Sequence, residues 1–206
     1  MFLRATYSET PNPGPMDGSD PAAALPAGDM WVFAYGSLMW RPVFPAMRAV
    51  RAHIHGYHRD LCVWSWVHRG NRAHPGLVLG LDRGGSCVGI AHRVDAAKRE
   101  AVIAYLYARE LVTDVYVPVL RSIRIDGEGV APALAFVVDR RHPQYAGRVA
   151  SALAARTVRH ARGESGANIE YFANTMAHLD ELGIHCPRLE RIRRALADSG
   201  EGGDPL

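Results

Sequence analysis

Glu110 ends the segment Tyr107-Ala108-Arg109-Glu110, and the apolar pair Leu111-Val112 follows it. A helix C-terminus and apolar neighbours both disfavour a charged carboxylate, which suits such a group to moving protons near neutral pH. The same residue also reads as a solvated helix-end glutamate paired with Arg109. A second candidate is the loop Tyr35-Gly36-Ser37-Leu38, which follows the apolar run Met30 to Tyr35. It is no nucleophile elbow, because GxSxG needs glycine where Tyr35 and Met39 stand, and it carries neither GxxxxGK[ST] nor GxGxxG. A tight Gly-Ser loop can instead turn backbone N–H groups outward toward a carboxylate or a polarised carbonyl oxygen, or it can be a plain β-turn. A third candidate is Gly163 to Tyr171, where small residues open an amphipathic helix. Free N–H groups there suit an anion, while Ser165 can equally serve as an N-cap. His53, His55 and His58 cluster, but beyond Asp60 no nearby Cys, Asp or Glu completes a ligand set. No metal site is expected from them.

These residues need elements to position them. Met30 to Tyr35 reads as a buried strand that delivers the Gly-Ser loop. Further strands are expected over His53 to Trp66, Gly76 to Leu81, Ser86 to Val94, Tyr116 to Ile125 and Ala133 to Asp139, with turns at 69–71, 82–85 and 126–129. Pro118 assigns its stretch to an edge or a bulge, because proline donates no ladder hydrogen bond. Asp95 is placed to cap a helix that runs to Arg109 or Glu110 with Val102, Ile103 and Leu106 on its apolar face. Helices also fit Tyr145 to about Arg162, about Ala167 to Leu182, and Arg188 to Ala197. Strands first and helices later predict an α+β fold rather than a doubly wound parallel sheet.

Composition narrows the function classes. The chain has 206 residues, 48% hydrophobic and 22% charged, enough for one sizeable core. No apolar run approaches the ~18 residues of a membrane span. Net charge is +3, and 23 of the 24 basic residues are arginines, Lys98 being the one lysine. They are scattered among acids. The densest group, Arg188, Arg191, Arg193 and Arg194, reads as a solvated helix face, so no nucleic-acid partner is expected. Cys62, Cys87 and Cys186 form neither a disulfide framework nor a CxxC signature, which fits a reducing cytoplasm. Residues 1–29 are rich in proline and glycine and are expected to be a flexible tail, followed by one domain over 30–198 and a short tail over 199–206.

An ordered series of motifs spans about Trp31 to Leu196. It comprises Val32-Phe33-Ala34-Tyr35-Gly36-Ser37-Leu38-Met39-Trp40-Arg41-Pro42, Gly56-Tyr57-His58-Arg59, Trp64-Ser65 with His68-Arg69-Gly70, and Pro75-Gly76-Leu77-Val78-Leu79. It continues through Gly89-Ile90-Ala91, Arg93-Val94, Arg109-Glu110 with Val112-Thr113 and Tyr116, then Ser165-Gly166, Asn168 and Glu170-Tyr171. With these motifs the chain resembles the ChaC-like γ-glutamylcyclotransferases. The resemblance implies a γ-glutamylcyclotransferase-like fold, a small mixed or antiparallel β-barrel core flanked by α-helices. It also implies release of 5-oxoproline from a γ-glutamyl compound, chiefly glutathione, leaving cysteinylglycine, with no metal or cofactor.

Roles then follow position by position. Glu110 matches the acid/base carboxylate, and Tyr35, Gly36, Ser37 and Leu38 match the substrate-binding loop. Ser165, Asn168 and Tyr171 match the late motif near the pocket, and Arg41 or Arg59 is placed to attract the glycyl carboxylate of glutathione. Other γ-glutamyl donors, and a non-catalytic module that binds such compounds, are the alternatives. Many members carry glycine near the position of Asp114. Aspartate tolerates left-handed backbone better than most residues, so the turn after Glu110 is expected to survive.

Overall fold

The computed structural model describes residues 20–198. Five strands, β1 (Met30–Ala34), β2 (Arg48–Ser65), β3 (Gly76–Val94), β4 (Tyr116–Ile125) and β5 (Gly129–Val138), close a barrel in the order β1-β3-β2-β4-β5. All pairings are antiparallel except β1 with β5, where Trp31 and Val32 lie parallel to Ala133 and Leu134. That parallel pair makes the barrel mixed, and the α+β expectation holds. Phe33, Ile54, Leu61, Leu81, Ile123 and Leu134 fill the interior, each no more than 1% exposed.

Gly76 to Leu81 and Ser86 to Val94, expected as two strands, are one bent strand. Gly84 and Gly85 adopt φ of +103° and +71°, and opposite them Gly56 of β2 adopts +81° at a register shift. Left-handed glycines on both partners bend the ladder without ending it, so turn-forming residues here mark a corner. β2 likewise begins five residues before its expected start. Pro118 faces Phe136 of β5, while β2 pairs with β4 only through Ile123 to Ile125. At Pro118 the strand therefore has a neighbour on one side only, and the missing N–H costs no ladder bond.

Asp95 accepts from Ala97 N–H at 2.7 Å and caps a short 3-10 turn, after which α1 (Arg99–Glu110) begins. Glu110 is its last residue. After β5 come α2 (Ser151–His160), a small hairpin of β6 (Arg162–Gly163) and β7 (Gly166–Ala167), α3 (Asn168–Glu181) and α4 (Pro187–Asp198). None of the helices among the described residues is long and apolar enough to cross a membrane.

Two expectations are corrected. Residues 20–29, placed in the flexible tail, lie against α1: Ala22 and Leu25 are buried, and the Arg99 guanidinium donates to the carbonyls of Ala22 (3.2 Å), Leu25 (3.0 Å), Pro26 and Gly28 (3.5 Å). One arginine from a distant helix satisfies backbone groups that composition alone leaves unpaired. Residues 1–19 and 199–206 lie outside the described residues. Arg188 does not join a solvated face. Its side chain is 11% exposed and Nε donates to both Asp60 oxygens at 2.9 and 3.0 Å, pinning α4 to β2. Among the described residues no group of three His, Cys, Asp or Glu is set to hold a metal ion. His58 Nδ1 lies 2.9 Å from Gly84 O, and His53 faces Asp126 at 3.7 Å.

Candidate active site

The site begins where β1 stops. Beyond Ala34 the chain turns at Gly36, and Ser37–Met39 forms one 3-10 turn in which Met39 N–H returns to Gly36 O at 2.9 Å and Arg41 N–H to Ser37 O at 2.8 Å. Two buried side chains hold this loop from behind. Arg59 Nε donates to Tyr35 O and Nη2 to Val88 O at 2.8 Å, and His92 Nε2 lies 2.9 Å from Leu38 O. His92 Nδ1 has no partner, and burial holds the ring's pKa below its ordinary value. The neutral ring with its proton on Nε2 is the form that satisfies Leu38 O. Arg59, 4% exposed, is committed beneath the loop and does not reach out to a substrate carboxylate.

A small pocket opens over this loop, lined by Phe33, Tyr35 to Leu38, Leu79, Glu110, Tyr116, Phe136 and Tyr171. Six elements converge on it: the end of β1, β3 at Leu79, the end of α1, the start of β4, β5 at Phe136 and the first turns of α3. Leu79 fixes two of the tyrosines, its N–H donating to Tyr171 Oη at 3.1 Å and its carbonyl accepting from Tyr116 Oη at 2.6 Å. Burial, with the nearby Glu110 and other phenols, holds Tyr35 and Tyr116 well above the usual tyrosine range and pushes Tyr171 up to about 12. All three stay neutral O–H groups around the carboxylate.

Glu110 has a side chain only 18% exposed. Burial raises its pKa, and Arg109 opposes that rise through its charge and a 3.1 Å hydrogen bond from Nε to Oε1 without cancelling it. Both sequence readings of Glu110 therefore hold in part: it is desolvated, and it is paired with Arg109. An outer groove continues from the pocket past Ser37 and Glu110 to Arg41, Val43, His68, Arg69 and Ser165. It is basic where the inner pocket is aromatic.

Not every expected residue faces the pocket. Tyr35, Gly36, Ser37, Leu38, Glu110 and Tyr171 line it together, and Arg41 and Ser165 line the outer groove. Asn168 does not. It is fully buried, with Oδ1 accepting from Leu77 N–H at 2.7 Å and Nδ2 donating to Leu77 O at 2.8 Å. Ser165 is not the cap of α3, whose N-cap position is Ala167; its Oγ lies 3.0 Å from His68 Nδ1. Asp114 takes φ of +58°, the left-handed geometry expected of the turn after Glu110. Tyr116, Leu79 and Phe136 were not among the expected site residues. Tyr116 lies within the motif series, but Phe136 carries no signal beyond its place in a strand.

A family model described as ChaC-like protein matches residues 30–196. A glutathione-specific gamma-glutamylcyclotransferase of Escherichia coli (strain K12) is 31% identical over 180 residues, covering 85% of this chain and 78% of its own. Glutathione-specific gamma-glutamylcyclotransferase 1 of Homo sapiens is 32% identical over 174 residues, with shares of 80% and 78%. The crystal structure of a selenomethionine-labelled glutathione-specific γ-glutamyl cyclotransferase from yeast aligns with a TM-score of 0.74 at 19% identity, covering 83% of this chain and 96% of that one, a likeness of fold. The match over nearly all described residues, beside relatives more than 30% identical over most of the chain, establishes that the chain belongs to the ChaC-like protein family.

Proposed function

We propose that the protein is a γ-glutamylcyclotransferase that cleaves glutathione to 5-oxoproline and cysteinylglycine. The observation that carries this reading is Glu110, a desolvated carboxylate beside the Gly36–Leu38 loop in a small aromatic-lined pocket that opens into a basic groove. The relatives' names supply the substrate, and the site supplies groups suited to the reaction.

The substrate's own α-amine nitrogen attacks its γ-carbonyl carbon, so the protein needs no nucleophile. Holding that amine in place makes the attack unimolecular, which can account for a large part of the acceleration. Glu110 takes a proton from the α-ammonium group, the lactam C–N bond forms, and the C–N bond to the cysteinyl nitrogen breaks. The same carboxyl protonates the departing nitrogen, then takes the second proton from the new lactam nitrogen and passes it to the freed amine, so the ring nitrogen loses two protons and the leaving nitrogen gains two. A raised pKa suits both steps, since a stronger base also yields an acid that forms near neutrality. Backbone N–H groups of Gly36, Ser37 and Leu38 and the neutral phenols of Tyr35 and Tyr171 serve as donors to the α-carboxylate and the developing oxyanion. The outer groove with Arg41, His68 and Arg69 favours a leaving amine that carries its own carboxylate, as cysteinylglycine does. Three buried free thiols, Cys62, Cys87 and Cys186, fit action in a reducing compartment such as the cytoplasm.

The test is incubation with reduced glutathione, without added metal, while 5-oxoproline and cysteinylglycine are followed by mass spectrometry beside the Glu110→Gln variant. Paired products from the wild type and none from the variant are expected. Glutathione binding without 5-oxoproline would replace this reading with that of a binding module.

A further inference from the structure

We infer that Arg109 is a positioning residue for the reaction, its guanidinium fixing the substrate loop and the acid/base carboxylate relative to each other. The inference rests on the reading of Glu110 as the proton shuttle. Neighbours in a helix do not normally face one another, so an Arg-Glu pair in sequence carries no expectation of contact. Here the guanidinium folds back over the end of α1 and spends three donors on three different groups. Nε donates to Glu110 Oε1 at 3.1 Å, Nη1 to Tyr105 Oη at 2.9 Å and Nη2 to Ser37 Oγ at 3.0 Å. Tyr105 lies one turn earlier on the same helix face and packs edge-on to the buried Phe44, with ring centres 6.4 Å apart. The fork is thereby braced on one side and joins Ser37 to Glu110 on the other.

The setting explains why one cation matters. Around Glu110, the loop after β1 contributes Tyr35, β4 contributes Tyr116 and α3 contributes Tyr171, all neutral phenols, while α1 contributes Arg109. Arg41, His68 and Arg69 stand in the outer groove. Arg109 thus supplies the charge bonded to the carboxylate, and its planar fork supplies the link to the loop. Lysine could keep the first property but not the second, because an ammonium has no rigid fork to span the groups.

The two properties separate in pH profiles of kcat/KM for glutathione. In Arg109→Gln the ascending limb, which requires ionised Glu110, is expected to move up by roughly one pH unit, the lower end of what a neighbouring opposite charge produces. In Arg109→Lys the limb stays near the wild-type position while KM rises about threefold to tenfold, the scale of one lost hydrogen bond. Ser37→Ala raises KM with the limb unmoved. An arginine that merely holds the fold would lower activity without moving the limb, so an unmoved limb in a folded Arg109→Gln protein overturns the inference. If Arg109→Gln does not fold, Arg109→Lys decides, and a wild-type KM there overturns it as well. Glu110→Gln separates the two levels. Near-normal turnover in that variant defeats the proton-shuttle reading itself, whereas a severely impaired variant beside an unmoved Arg109→Gln limb defeats only the role of Arg109.

Discussion

The side-chain amide of Asn168 and the backbone of Leu77 bond reciprocally, Nδ2 to O at 2.8 Å and N–H to Oδ1 at 2.7 Å. Asn168 opens α3 and Leu77 lies in β3, so this pair joins the helix that carries Tyr171 to the strand that carries Leu79. Tyr171 then bonds Leu79, two residues along, at 3.1 Å. An asparagine that matches the family motif thus shapes the pocket from behind its wall.

Asn168→Ala should therefore act first on stability. It leaves a buried N–H and a buried carbonyl of Leu77 without partners, each costing about 1–3 kcal/mol, so a loss of about 2–6 kcal/mol is expected. Equilibrium urea unfolding measures it. A loss below about 1 kcal/mol, together with a raised KM for glutathione, would return Asn168 to direct substrate contact.

Much of this arrangement is legible in the sequence, and the exceptions share a cause. Apolar and β-branched runs bounded by glycine-bearing turns predict the strands, and Glu110 is legible because a helix end and apolar neighbours are local features. Arg41 and Arg59 are indistinguishable as arginines near motifs. Only the barrel shows that one lines the outer groove while the other lies 4% exposed beneath Tyr35. The same limit explains Gly84-Gly85, read as a turn because the partner strand's own left-handed Gly56 cannot be paired with it before the fold is known. Arg99 clasping residues 22–28 is a long-range contact of the same kind.

Arg99→Ala tests that clasp. Four carbonyls lose the arginine, Ala22 O keeping only a 3.3 Å bond from Leu25 N–H, and Ala22 and Leu25 have little apolar surface with which to hold the segment alone. Amide exchange at residues 22–28 should quicken by an order of magnitude or more while the β2–β3 ladder stays protected. Equal protection of the segment in both proteins would mean that apolar packing suffices.

Glu110 makes a prediction about stability as well as rate. Its folded pKa lies above the ordinary 4.5, so between those values the native state binds more protons than the unfolded chain. Stability contributed by this group is therefore present at low pH and is lost as pH rises through the folded pKa. Glu110→Gln removes the buried charge but keeps an oxygen for Arg109 Nε. The variant should melt above the wild type at pH 7.5, and the gap should close below pH 4.5. Turnover should fall by roughly 10²–10⁴ at the same time, the usual contribution of general acid–base catalysis. Thermal melts at both pH values check the first part. A variant that melts below the wild type at pH 7.5 would show that the ion pair with Arg109 outweighs desolvation.

Among the described residues, two other than glycine take left-handed backbone, Asp114 at φ +58° and Val43 at +59°. They bear that geometry unequally. Aspartate visits this region with local hydrogen bonding to help it, whereas a β-branched side chain meets the full steric penalty of about 1–2 kcal/mol. Val43 is 63% exposed at the outer groove, so little burial offsets the strain. Val43→Asn should therefore stabilise the protein by about 1 kcal/mol, and Asp114→Val should destabilise it by a similar amount, both read from urea midpoints at unchanged slope. Strain of this kind persists where it serves a site. If Val43 earns its place as a wall of the leaving-group groove, Val43→Asn will gain stability and lose affinity for glutathione together. A gain in stability with unchanged KM would mark the strain at Val43 as having no bearing on the substrate.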